Sequence, residues 1–308
     1  MADMDTTTFQ GSRSSKSIWN FCGLTFWELV RNVAHDSQKN ELLERASGLA
    51  FDFLFALFPL LFILMAVFNL FANHSLQLRT NLLAYFADLL PTLAFQLLNR
   101  TTGELAANQT SEKLTVGIFV GLWLASGGIA SIISSLNAAF RVEESRSWFK
   151  VRAIAVLLTL VISILLLTAL GIVLLSGDFV DWLGKELQVA SVMVLFWKAL
   201  QWPTALLFAI VSYALIYSFG PNRPGKRWLW ITPGSVFAGI MWLAVSVGFR
   251  FYLHFVNNYT VIFGSLGAIA ILLVWLYVTG LAFLIGGEIN ASIERAGMRD
   301  AEGGPEFW

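Results

Sequence analysis

Asp52, Lys198, Arg250 and Glu288 are ionisable side chains set in or at the ends of long apolar runs, in a chain of 308 residues of which only 13% are charged. Placing a charge at the centre of a membrane helix costs about 2.5–3.5 kcal/mol on insertion scales, so such residues need partners, water or head groups. Depth sorts them. Asp52 falls about one helical turn inside the start of the first run. Asn137 and Arg141 close the second run, and Glu288 and Asn290 close the sixth. These five read as an acidic and amide cluster with Arg141 as its counter-ion. If Asp52, Asn137 and Glu288 faced one watered vestibule, the chemistry would be that of a substrate pathway. Lys198 and Arg250 lie toward the opposite ends of the fourth and fifth runs, where a cationic pair would hold a phosphate or another anionic head group. The competing reading is interfacial: Glu288 and Arg141 sit at head-group level, and Lys198 and Arg250 snorkel outward on their long stems.

Other chemistries find little to work with. Metal-assisted hydrolysis needs clustered His and Asp to hold the ion and activate water. The three histidines, His35, His74 and His254, are scattered, and Cys22 is the one cysteine. No phosphate-binding glycine loop, nucleophile elbow or dinucleotide fingerprint occurs. Twenty basic residues balance twenty acidic ones, which is not the footprint of a nucleic-acid binder. The expectation is a protein that is not an enzyme, with no metal, no cofactor and no nucleic-acid partner. Its partners would be membrane lipids, with an anionic or amphipathic substrate and a homo-oligomer both left open.

The elements that position these residues are membrane helices. The hydrophobic fraction is 57%, gathered in blocks. About 20 apolar residues cross a hydrocarbon core of about 30 Å as a helix. Six segments qualify, near 48–71, 114–140, 154–175, 192–219, 229–253 and 261–287. Their apolar runs are continuous and not alternating, which excludes a transmembrane β-barrel. Pro59 and Pro203 fall inside the first and fourth, and are read as kinks because neighbouring helices re-satisfy the freed carbonyls. Fourteen Lys and Arg fall on one side of the spans and four on the other, which places both termini in the cytoplasm. The fold expected is all-α: a polytopic bundle of six transmembrane helices. Residues 1–46 form a cytoplasmic tail carrying an amphipathic helix. Residues 47–290 form the membrane domain, with an extracytoplasmic helical hairpin at 73–113. Residues 291–308 form a disordered cytoplasmic tail.

Small residues at four-residue spacing suggest close helix contacts, at Gly117, Gly121, Ala125 and Gly128 in the second span and at Gly264, Gly267 and Gly280 in the sixth. Trp148, Trp182, Trp197, Trp202, Trp228, Trp230 and Tyr259 fall near span ends, as an aromatic belt does.

Several blocks, in order, resemble the YihY/BrkB family of inner-membrane proteins. They are the run from Ala50 to Leu61, Leu136-Asn137-Ala138-Ala139-Phe140, Thr232-Pro233-Gly234-Ser235, Tyr259 to Gly267, Trp275-Leu276-Tyr277, and Gly286-Gly287-Glu288-Ile289-Asn290-Ala291. The sequence differs from the family pattern at Asp52, where tyrosine is usual, and at Ala56, where serine is usual. The resemblance implies six helices in a bacterial inner membrane. Members have carried the names virulence factor and ribonuclease BN, the latter widely regarded as a misassignment, and the resemblance brings no settled activity. Two function classes follow: a transporter or flippase-like protein for an amphipathic or anionic, lipid-like substrate, and a non-transporting scaffold that maintains the envelope through partners.

Overall fold

The computed structural model describes residues 18–56, 111–175, 191–223, 231–255 and 259–302. Among these, every regular element is helical. A 3-10 turn at Ile18–Gly23 leads into α1 (Phe26–Lys39). The backbone N–H of Thr25 donates to the Glu28 carboxylate at 2.8 Å, fixing the start of α1. That bond holds the Glu28 carboxyl below its ordinary value. The chain then turns through Asn40 and Glu41, whose φ of 53° breaks the helix, into α2, helical over 42–56.

Five longer helices follow: α3 (Ser111–Ala139), α4 (Trp148–Leu175), α5 (Ser191–Phe219), α6 (Pro233–Phe255) and α7 (Tyr259–Glu302). Each contains a stretch long and apolar enough to cross a membrane, as judged by length and composition. Their surface is inverted relative to a water-soluble bundle. Leu157, Ile164 and Phe251 are 61%, 62% and 64% exposed, while Glu288 is 0% exposed. Apolar side chains turned outward beside buried polar ones are what lipid surroundings favour. Hydroxyls within the helices bond to the preceding turn, as Thr159 does to the Ala155 carbonyl at 2.7 Å and Ser212 to that of Phe208 at 2.8 Å. The chain is a polytopic helical membrane protein. Four of the six expected spans correspond to α3, α4, α5 and α7, and the fifth to α6. The first begins within α2, and its residues 57–71 lie outside the described residues, as do Pro59 and positions 73–110 of the expected hairpin.

Consecutive long helices pack on one another, and α7 also touches α1, α3 and α5. α2 is seated where side chains are smallest. A Cβ on Gly128 of α3 would lie 3.6 Å from the Phe53 ring, and one on Gly280 of α7 3.5 Å from the Leu49 Cβ. Gly128 and Gly280, two of the small residues noted in the sequence, therefore serve contacts within one chain. At the α6–α7 crossing the backbones nearly touch: a Cβ on Gly286 would stand 2.6 Å from the Gly234 carbonyl oxygen and 2.6 Å from the Tyr217 hydroxyl. The buried core gathers Leu42, Ala46, Leu49, Leu136, Tyr217 and Phe283, toward the end where α3 and α5 finish and α6 begins.

α5 runs unbroken across Pro203. Proline leaves the Ala199 carbonyl without its helical donor. The Thr204 hydroxyl donates to the neighbouring Leu200 carbonyl at 2.9 Å. α7 does not stop at 290. It continues to Glu302, because Ala291, Ser292 and Ile293 are buried against the core, so residues 291–302 are an ordered helix where a disordered tail was expected. Residues 303–308 lie outside the described residues.

Candidate functional site

The ends of α3 and α5 and the start of α6 carry a rim of polar side chains that reaches onto α7. Its centre is Asp36, in the last turn of α1 and 6% exposed. One carboxylate oxygen accepts from Arg141 Nη2 at 2.8 Å, and the other accepts from Arg295 Nη2. Arg141 follows α3 with φ of 55°, a conformation that turns the chain sharply out of the helix. Arg295 also donates through Nη1 to the Ala139 carbonyl at 2.6 Å, capping α3. On α7, Leu284, Glu288 and Ala291 are buried and Arg295 half-buried along one stripe at helical spacing. Glu288 accepts from Asn40 Nδ2 through Oε1. Its Oε2 lies 3.8 Å from Arg295 Nη2, beyond hydrogen-bond range, and has no hydrogen-bond partner. Two carboxylates and two guanidiniums thus join α1, α3 and α7.

A second network surrounds Asn137, which is 6% exposed. Its amide donates to Glu144 Oε2 at 2.8 Å, and its carbonyl oxygen accepts from the Asn222 backbone N–H at 2.8 Å. Arg146 grips Glu144 through Nε at 2.7 Å and Nη2 at 2.6 Å, and caps α5 at the Gly220 carbonyl at 2.9 Å. The Arg146 guanidinium, outweighing the cost of partial burial, holds the Glu144 carboxyl down to about 2.

The remaining contacts define helix ends. Thr232 and Ser235 form a reciprocal cap at the start of α6, with backbone-to-hydroxyl distances of 3.0 and 3.2 Å. Asn290 completes that cap from α7, accepting from the Gly234 N–H at 2.9 Å and donating to the Thr232 hydroxyl at 3.0 Å. Arg223 pairs with Glu294, donates to the Tyr217 carbonyl at 2.8 Å and lies 4.4 Å over the Phe140 ring.

Asn137, Arg141, Glu288 and Asn290 therefore share the rim but belong to three separate constellations. Asp52 stands apart. It is half-buried on α2, its Cβ 4.0 Å from where a Cβ on Gly128 would be. Gly128 is nine residues, about 13 Å of helix, from Asn137. Among the described residues no hydrogen-bond or ion-pair partner meets Asp52. Arg250 is exposed near the far end of α6. Lys198 lies in the first turns of α5, with its side chain outside the described residues. Sequence reasoning missed Asp36, Asn40, Glu144, Arg146, Asn222 and Arg295. Asp36 carried a usable signal, since it lies seven residues from Leu29 on one face of α1, and both are buried. The exposed face instead shows Phe26, Trp27 and Val30, as an interfacial helix would.

The family model described as Virulence factor BrkB matches residues 33–308. Ribonuclease-like protein YfkH of Bacillus subtilis (strain 168) is 33% identical over 267 residues, covering 86% of this chain and 93% of its own. A UPF0761 membrane protein of Tolumonas auensis is 26% identical over 268 residues, covering 87% and 83%. Another, of Idiomarina loihiensis, is 28% identical over 230 residues, covering 73% and 77%. No solved structure matches.

Proposed function

The chain belongs to the Virulence factor BrkB family of membrane proteins, and on that premise we propose that it moves an amphipathic or anionic, lipid-like substrate across a bacterial inner membrane, with the polar rim and both termini on the cytoplasmic side. The observation that carries the reading is Asp52. It is a carboxylate on a helix that continues the apolar pattern, half-buried and facing α3 at a glycine, where a helix in lipid gains nothing from a charge. A residue that only stitched helices would have a partner, as Asp36, Glu144, Glu288 and Glu294 do on the rim, and none meets Asp52 among the described residues.

The alternative is a scaffold, and the rim favours it. Asn137, Arg141 and Asn290 are committed to contacts that fasten one helix to another, which is how a stable platform for partners is built. RNA hydrolysis stays outside both readings. The name ribonuclease-like belongs to the relative.

Reconstitution separates the two. Vesicles carrying NBD-phosphatidylglycerol and the full chain are exposed to dithionite, which bleaches only the outer leaflet. Transport predicts loss of signal well past the outer-leaflet pool, slowed by Asp52→Asn and abolished by Asp52→Leu. Bleaching that stops at the outer leaflet removes the transport reading for this lipid class, and full activity in Asp52→Leu removes Asp52 from it.

A further inference from the structure

Glu288 is the one rim carboxylate that the networks above leave half-satisfied. It is 0% exposed, its Oε2 has no hydrogen-bond donor, and the nearest cation, 3.8 Å away, is already engaged by Asp36 and the Ala139 carbonyl. Among the described residues the groups that face it are few. α1 supplies Asp36 and the turn after it Asn40, the turn after α3 supplies Arg141, and α7 itself supplies Arg295. From α5, Tyr217 lies beside Gly287 with its hydroxyl donated to the Phe283 carbonyl. Arg45, near the start of α2, donates to the Asn40 carbonyl at 2.9 Å. The first turns of α6, from Pro233 to Gly239, hold no charge. Asn40 suits both protonation states, because a side-chain amide donates N–H to a carboxylate and, turned over, accepts O–H from a carboxyl.

From this geometry we propose that Glu288 is a proton-binding site whose occupancy is linked to the docking of α1 on α7. With the proton bound, the carboxyl is neutral, Asn40 bonds it, and the two arginines are left to Asp36. When the proton leaves, a negative charge with one unserved oxygen stands beside Asp36 in a place water does not reach. It gains hydration and loses that repulsion when α1 lifts away. Docking and proton binding therefore favour one another, and by reciprocity anything that undocks α1 releases the proton.

The test reads docking and involves no substrate, so its failure is distinct from failure of the transport reading. Leu29, 5% exposed on the docked side of α1, becomes the reporter through Leu29→Cys in a Cys22→Ser background. Maleimide labelling of the full chain in detergent is followed from pH 5 to 9, with and without Glu288→Gln. Dividing the two rates cancels the titration of the reporter thiol and of every other group common to both proteins. The expected ratio is lowest at the acid end, where the carboxyl comes to resemble the amide, and rises about tenfold toward pH 9, within the range of ordinary coupling between two sites. A ratio constant across the range overturns the proposal. If Glu288→Gln fails to fold, the same curve taken against the exposed thiol of Ser147→Cys decides it, and a flat curve overturns it equally.

Discussion

Asp36 bonds two arginines, and burial decides which bond holds α1 in place. The side chains of Asp36 and Arg295 are 8% and 16% exposed, whereas Arg141 is 42% exposed. Removing one partner of a buried pair costs about 3–5 kcal/mol, mostly because the other charge is left without compensation. A pair with a largely solvated member is worth about 0.2–1 kcal/mol once screening is counted. A double-mutant cycle on the Leu29→Cys reporter at pH 7 measures both. Asp36→Ala is combined with Arg295→Ala and, separately, with Arg141→Ala, and the cycle cancels the other contacts each arginine makes. If labelling requires α1 to lift, rate ratios are docking free energies. The Asp36–Arg295 coupling is expected near 3 kcal/mol, a factor of about 150, and the Asp36–Arg141 coupling at fivefold or less, about 1 kcal/mol. Equal couplings, or a larger one to Arg141, would refute the argument from burial.

Glu144 gives a pH prediction with a definite sign. Its folded value of about 2 lies below the ordinary 4.5, so its contribution is complete above the ordinary value and is lost as pH falls through about 2. Hydrogen exchange at the Asn222 amide should therefore be unchanged by pairing between pH 7 and 5 and lose protection below pH 4, and Arg146→Gln should move that loss upward. Two glycines of α6 give a packing prediction. Gly234→Ala drives a methyl into the Gly286 carbonyl and the Asn290 amide and should destabilise by about 1–3 kcal/mol or prevent folding. Gly248→Ala meets nothing within 4 Å and should be neutral or stabilise by about 0.5–1 kcal/mol in thermal unfolding.

The helices were legible because lipid imposes one rule: about 20 consecutive apolar residues, with backbone groups satisfied internally. The small residues Gly128 and Gly280 were legible as contact points for the same reason. The site was legible only as an inventory. Asn137, Arg141, Glu288 and Asn290 announce themselves by polarity at the ends of apolar runs, but pairing depends on which helix faces which, and period alone does not give that. Asp36 looked like one charge among several in an amphipathic tail. Its burial follows from α1 docking on a stripe of α7 that the sequence reading assigned partly to a disordered tail. Arg295 was hidden by the same boundary.

The basic residues gathered at this end of the bundle also close its helices. Arg295 bonds Asp36 and the last carbonyl of α3, Arg146 bonds Glu144 and the carbonyl just past α5, and Arg223 bonds Glu294 and a carbonyl in the last turn of α5. Each pairs a carboxylate from one segment with a helix C-terminus from another. A guanidinium does this because its donors leave a rigid plane in several directions, while an ammonium on a flexible stem would satisfy one partner well and the other poorly. The negative end of the helix dipole adds to the attraction. The positive-inside rule counts lysine and arginine alike. The folded rim needs arginine at 146, 223 and 295, so lysine there should preserve insertion and orientation while loosening the loops that Asn137 and Asn222 join.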